Sequence, residues 1–254
     1  MSNFETDNET VKLRLLISNM SNSPIPEDFT IDDLNEIIKF VDMIFITDSA
    51  IVNKFGEKYQ QLAVQICRQI SELITRNRSI QDNESLIDEI SKTINSYHNF
   101  KSSTRDSSLL SSMFKKAIRR VKQLGSKLEN NMLFIEDNSE KARDFQLKLQ
   151  KLDSIFSKYI LAGEIKLYQV NQLFKDFDNG DRSKIKNAND KLYIKQCADL
   201  FKSKLESLKL TQTTCLQHNM LLKSESTNND KILASIRGIL QTTIPAFEEE
   251  KFII

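Results

Sequence analysis

Phe114 to Gly163 reads FKKAIRRVKQLGSKLENNMLFIEDNSEKARDFQLKLQKLDSIFSKYILAG. Within it Phe114, Ala117, Val121, Leu124, Leu128, Asn131, Ile135, Asn138, Ala142, Phe145, Leu149, Leu152, Phe156, Tyr159 and Gly163 recur alternately three and four residues apart without a slip. A sustained 3.5-residue period keeps one seam facing a partner helix and imposes a left-handed supercoil. The stretch therefore predicts one coiled-coil helix, on the order of 75 Å long at ~1.5 Å per residue. Asn131 and Asn138 fall in the seam. Polar residues there lower stability, and they either fix the register or mark a wetter, looser layer.

C-terminal to this helix, Phe174 to Asn189 (FKDFDNGDRSKIKNAN) is rich in turn formers, with Gly180 supplying backbone freedom. A return helix then carries Ile194, Cys197, Phe201, Leu205, Leu208, Cys215, Leu222, Ile232, Ile236 and Ile239 on one face. Its apolar period weakens between Gln217 and Asp230, and Pro245 is expected to stop it. Outgoing and returning helices match in length, so residues 109–247 are expected to form an antiparallel hairpin, followed by a tail at 248–254.

On the N-terminal side, residues 1–29 read as a polar, flexible arm with a weak apolar turn at Leu13, Leu15, Leu16 and Ile17. A helical region is expected over 30–98. Thr30, with Asp33 three residues on, is close to a capping box. Asp48 or Ser49 could cap the next helix, whose apolar face is Val52, Phe55, Tyr59, Leu62, Ile66, Ile70 and Leu73. Asn77 to Asn83 reads as a loop, Glu84 to Tyr97 as a helix, and residues 99–108 as a linker. The fold class is all-α: a long antiparallel coiled-coil helical hairpin plus a small N-terminal set of helices.

Composition agrees with long helices. Among 254 residues there are only 5 Gly and 3 Pro, the prolines at 24, 26 and 245. Sheets joined by tight turns would need more of both. No run approaches the ~18 apolar residues of a membrane span, and the acidic, polar start shows no signal peptide, so a cytoplasmic protein is expected. Lys and Arg total 36 against 35 Asp and Glu, but unevenly. Residues 1–50 hold ten acids and three bases, whereas residues 101–127 hold eight bases and one acid. The two regions could attract one another or serve separate partners.

Motifs for chemistry are sparse. Asp176-Phe177-Asp178-Asn179-Gly180-Asp181 suggests a calcium loop, but counted from Asp176 the glycine falls at the fifth position and Asn187 at the twelfth. An EF-hand needs glycine at about the sixth and a bidentate Glu at about the twelfth, so a turn is expected. His98 and His218 are the two histidines, neither with ligand-type neighbours at metal spacing. No G-x-G-x-x-G or G-x-x-x-x-G-K-S/T run is present. Neither enzyme activity, a metal nor a cofactor is expected.

Lys115, Lys116, Arg119, Arg120 and Lys122 form a basic amphipathic run, a candidate contact for a partner or an anionic membrane surface. Its apolar face is also the start of the heptad seam, which makes a solvated helix face the simpler reading. One short basic patch on a nearly neutral chain argues against nucleic acid. The cysteines 67, 197 and 215 lack CxxC spacing, and their odd number points to a reducing compartment. Cys197 and Cys215, 18 residues apart on one helix, would stand roughly 27 Å apart and could share neither a metal nor a disulfide.

Three stretches in order resemble a family. Ile46 to Ile66 (ITDSAIVNKFGEKYQQLAVQI) carries the Phe55-Gly56 pair and an amphipathic run. Leu152 to Leu167 (LDSIFSKYILAGEIKL) carries leucine-aspartate, then Ala162-Gly163-Glu164, then Lys166-Leu167. Leu205 to Phe247 includes Leu208-Lys209-Leu210-Thr211 and ends in Thr242-Thr243-Ile244-Pro245. Together they resemble the bacterial TelA family of toxic-anion, or tellurite, resistance proteins. The resemblance implies a cytoplasmic helical protein linked to resistance to tellurite and other toxic agents through envelope stress, and it carries no mechanism. The unbroken heptad seam and the absence of catalytic constellations lead to the expectation of a scaffold that works by protein contacts. A homo-oligomer through the coiled coil or a peripheral contact at the inner membrane would fit too. Direct capture or reduction of tellurite by thiols, or a structural tethering coiled coil of another family, are the alternatives.

The chain departs from the family at Gln212, where Arg is common, and at Met220-Leu221, where Pro-Gln is common. The family also has a further long helix after the proline, so either a third strand comes from the N-terminal helices or another protomer, or the chain is a reduced or truncated member.

Overall fold

A computed structural model describes the backbone of residues 2–78 and 83–250, and side chains from Glu9 onward except Arg78. The described residues are helical apart from short connections, with no strand among them. The elements are α1 (Ser2–Met20), α2 (Ile31–Met43), α3 (Ser49–Lys54), α4 (Glu57–Arg78), α5 (Asn83–Ser103), α6 (Ser107–Asp178) and α7 (Ala188–Gly238). A single π turn, Ile239–Thr243, then leads into α8 (Ile244–Glu249).

The helix boundaries follow from local chemistry. Thr30 and Asp33 close a reciprocal capping box on α2, Thr30 N–H donating to Asp33 Oδ2 at 2.8 Å and Asp33 N–H to Thr30 Oγ1 at 3.3 Å. Asp48, not Ser49, caps α3 by accepting from the Ala50 and Ile51 amides. Asp106 does the same for α6 with Ser108 and Leu109, so only residues 104–106 of the expected linker lie outside helix. The acidic tract after α6 is a C-cap and turn. Gly180 has φ +99°, its N–H donates to Phe177 O, and Asp181 N–H donates to Asp176 O, which is a Schellman motif. Asn187 then caps α7.

Four expectations are corrected. Residues 2–20 are a helix in place of an arm: Ile17 is fully buried, and Arg14 clasps the carbonyls of Pro26, Glu27 and Phe29 at 2.8–3.1 Å. The helix expected from Asp48 to Ile74 is broken at Phe55-Gly56, where Gly56 has φ +68°. Ile66, Ile70 and Leu73 stay buried beyond the break, but just after it Leu62 is exposed and Ala63 is buried in its stead. α5 runs six residues past Tyr97, to Ser103. Pro245 does not end the helix: the π turn carries Ile244 N–H to Ile239 O and helix resumes with the proline in its first turn. A proline's missing N–H costs no bond in a first turn. Of the expected 77–83 loop, Asn77 and Arg78 end α4 and Asn83 opens α5, while 79–82 lie outside the described residues, as do 251–254 of the tail.

The chain divides into two compact units, each built from N-terminal helices and part of the hairpin. The hairpin at 109–247 is therefore not a separate body, and α4, α6 and α7 each contribute to both units. One unit comprises Met1–Cys67 and Leu147–His218. In it Gln212 on α7 donates to Asp153 Oδ1 on α6 at 2.7 Å, and Gly163 on α6 lies against Leu205 on α7. The number rises on one helix as it falls on the other, so the pair is antiparallel. The third strand of this bundle is α4: Gln60 donates to Ser207 at 3.0 Å and Thr211 at 3.1 Å, and Phe55 stacks edge-on against Tyr159 and Phe201. Gly56 sits where an added Cβ would come within 2.6 Å of Leu208 Cδ2. Gly56→Ala combines a left-handed backbone with overpacking and is expected to cost about 2 kcal/mol, measurable by urea denaturation; an unchanged midpoint would refute this packing.

The other unit comprises Arg68–Gln146 and Asn219–Ile254. Tyr97, Phe114 and Phe247 meet edge-on or tilted at ring-centroid distances of 5.3–5.5 Å, within a core of Ile90, Val121, Leu124, Leu128 and Ile236. The seam asparagines are register-setting: Asn131 Nδ2 donates to Asn83 Oδ1 at 2.8 Å and Asn138 Nδ2 to Asn77 Oδ1 at 2.5 Å. Asn77 in turn donates to Glu225, and buried Asn229 to Ser139. α7 loses its apolar period at 217–230 because Glu225 and Asn229 meet this polar layer. A one-turn slip would leave the buried Asn83, Asn138 and Asn229 unpaired.

Candidate functional site

Three clusters gather the residues that sequence singles out. The first is built on Ala162-Gly163-Glu164 of α6. Ala162 is fully buried, and Gly163 lets Leu205 approach so closely that a Cβ would lie 2.2 Å from its Cδ2. Glu164 is the centre: its side chain is 7 % exposed, and its carboxylate accepts four hydrogen bonds. Oε2 takes the Asn22 and Ser23 amides, each at 2.8 Å, and Oε1 takes Ser23 Oγ and Lys209 Nζ, each at 2.9 Å. Burial alone would raise the pKa of Glu164, but the bonds from Lys209 and Ser23 outweigh it and hold the group below the usual range. The result is a buried carboxylate that stays charged and pins the α1–α2 connection to the hairpin.

The remaining residues of the same motif are less central. Lys166 is half-buried, and burial lowers its pKa against the opposing pull of Asp42. Leu167 lines a cavity beside the Asn19–Asn22 connection. Pro245 belongs to the other unit, at the start of α8.

A second carboxylate cluster in this unit surrounds Lys158, which reaches Asp33 at 2.5 Å and Glu36 at 2.6 Å. Burial opposes ionisation of Asp33, yet the bonds from Lys158 and Thr30 prevail and lower it to about 2. Both clusters are tethers between N-terminal helices and α6, with their ionic groups mutually satisfied.

The second candidate is the basic run on α6. Arg120 pairs with Glu89 of α5, and Lys122 with Glu248 of α8 at 3.0 Å. Lys115, Lys116 and Arg119 are exposed and have no carboxylate partner among the described residues. Phe114, Val121 and Leu124 on the opposite face are buried in the core. The acids that engage this run thus come from 89 and 248, whereas Asp33 and Glu36 of the acidic N-terminal region are taken by Lys158.

Third come the cysteines, all three buried and none in a disulfide. Cys67 on α4 and Cys215 on α7 are neighbours whose thiols perturb one another, a pair that sequence reasoning missed by comparing only cysteines on one helix. The signal lay in α4 as the third strand: parallel to α7, it brings residue 67 opposite 215 just as it brings Gln60 opposite Ser207 and Thr211. Cys197 instead contacts Tyr193. His98 bonds Glu250 at 2.7 Å and His218 lies against the Thr214 carbonyl at 2.9 Å.

Among the described residues no three His, Cys, Asp or Glu side chains are grouped to hold a metal. No described helix is long and apolar enough to cross a membrane. An apolar cleft of about 360 Å³ lies between Phe40, Ile44, Ile51, Phe55 and Tyr159.

No family model matches the chain, and no curated protein does. Among solved structures, a computationally designed three-helix bundle is similar over 96 % of this chain and 93 % of its own, with 14 % identity and a TM-score of 0.32.

Proposed function

We propose that the chain is a non-enzymatic helical scaffold of the TelA kind, cytoplasmic, contributing to resistance to tellurite and other toxic anions by holding protein partners. The observation that carries this reading is the division within the basic run. Arg120 and Lys122 are consumed by Glu89 and Glu248, while Lys115, Lys116 and Arg119 stand exposed on α6 without carboxylate partners among the described residues. Unpaired charge of one sign on an ordered surface steers an oppositely charged partner. A membrane-lying helix would need an apolar face beside its charges, and that face is already occupied by the core. An acidic protein surface is therefore the favoured partner.

The test is association of the intact protein with its cellular partners, read by affinity capture at low and high salt. Reversing Lys115, Lys116 and Arg119 to Glu together should weaken capture at least about tenfold without changing thermal stability. Arg120→Glu should instead lower stability by roughly 1 kcal/mol through loss of the Glu89 pair. Capture that survives the triple reversal, or anionic vesicles bound in place of protein, would contradict the proposal.

A further inference from the structure

Cys67 and Cys215 come from helices 148 residues apart in sequence yet share one bundle. Both are buried, at 8 % and 1 % exposure, with Cys67 nearer to solvent. Gln60 on α4 lies opposite Ser207 and Thr211 on α7, so the parallel register seven residues further on sets Cys67 beside Cys215, and each thiol perturbs the other. Flanking bonds hold the helices in this parallel register: Gln60 reaches both Ser207 and Thr211, and Lys204 Nζ donates to Gln60 Oε1 at 2.8 Å.

The environment also makes the thiols unlike. The Cys215 thiol, aided by His218 and opposed by burial, pulls Cys67 below the ordinary thiol range. Cys215 is pushed up by Cys67, by burial and by Asp153. A pair of one ready nucleophile and one protonated neighbour is the arrangement that condenses to a disulfide. Neither the packing of α4 on α7 nor the scaffold reading requires two thiols there. Any small apolar pair would fill the same space.

We propose that Cys67 and Cys215 form a reversible modification site, oxidised by a small peroxide to a disulfide that ties α4 to α7. The Cys67 thiolate attacks one peroxide oxygen and the O–O bond breaks. The other oxygen leaves as hydroxide and takes up a proton to become water, leaving Cys67 as a sulfenic acid. The Cys215 sulfur then attacks Cys67 Sγ, the S–O bond breaks, and the departing hydroxide takes the Cys215 proton as a second water. Two thiols become one disulfide while one peroxide is reduced to two waters. A dithiol reductant reverses it by exchange. Cys197 is a bystander, roughly 27 Å along α7 from Cys215.

The test treats the full native chain with hydrogen peroxide, alkylates remaining thiols, and maps digested peptides by mass without reduction. The expected product is one intramolecular peptide pair joining Cys67 to Cys215, lighter by two hydrogens, with Cys197 alkylated. Dithiothreitol should restore both thiols, and Cys197→Ser should leave the product unchanged. A parallel sample oxidised in urea should scatter its pairing among the three cysteines, which ties the native selectivity to the fold. Native Cys67 and Cys215 both recovered alkylated, Cys67 driven to sulfinic acid beside a free Cys215, or bridges between chains would each overturn the proposal.

Discussion

Glu164→Gln is expected to destabilise the unit that contains it by roughly 3 kcal/mol, although the side chain keeps its size. All four partners of the carboxylate are donors: two backbone amides, a hydroxyl and an ammonium. An amide can satisfy the donors on one side with its oxygen but must then turn its NH2 toward those on the other. The Asn22 and Ser23 amides or Lys209 would be left facing a donor at a site of 7 % exposure. Lys209→Met should cost less, because Lys209 is 37 % exposed and Glu164 would keep three of its bonds. Urea denaturation of both variants checks the order, and equal losses would show that Lys209 alone mattered.

The same carboxylate gives stability a direction with pH. Its pKa is lower folded than unfolded, so its contribution is complete above the unfolded value near 4.5 and is lost as pH falls through the folded one. Asp33 acts alike, between its ordinary 3.8 and about 2. Stability should therefore fall from pH 4.5 toward 2, more steeply in the wild type than in Glu164→Gln.

Gly163→Val should cost about 3 kcal/mol, since overpacking a filled core forces side chains off their rotamers. A Cβ at Gly163 would lie 2.2, 2.9 and 3.0 Å from Cδ2, Cδ1 and Cγ of Leu205, which is itself 2 % exposed. The leucine has no open side to retreat into. Leu205→Ala alone should also destabilise, by about 2–5 kcal/mol through its cavity. In the double variant the valine fills part of that cavity, so the combined loss should fall short of the sum by at least about 1 kcal/mol. Strict additivity in thermal or urea unfolding would mean that the two residues do not meet.

Much of the architecture is legible because it depends on local or strictly periodic signals. The seam from Phe114 to Gly163 is one: its members are buried apart from the half-buried Ala117, Asn131, Phe145 and Tyr159. The Thr30–Asp33 box and the Gly180 turn are others, each set by residues within a few positions. What sequence hides is long-range. α1 is anchored by Ile17 and by Arg14 reaching carbonyls 12 to 15 residues away, while Leu15 and Leu16 remain exposed, so its apolar pattern is weak. The break at Gly56 is invisible because the apolar spacing continues almost in phase across it.

The candidate sites divide the same way. The basic run is plain in sequence, but which of its charges are already paired depends on Glu89 and Glu248, distant in the chain. Ala162-Gly163-Glu164 is visible as a motif, whereas its role as a buried anchor for Asn22 and Ser23 needs the fold. The Cys67–Cys215 pair emerges only after α4 is placed beside α7.

The scaffold reading is tested most directly by tellurite tolerance in cells producing the wild-type chain, the Lys115/Lys116/Arg119 charge-reversed form, or a form with Cys67, Cys197 and Cys215 all changed to Ser, at matched abundance. The account predicts protection by the wild-type and cysteine-free forms and its loss on charge reversal. Protection kept by the reversed form and lost by the cysteine-free one would contradict the account and assign the resistance to thiol chemistry.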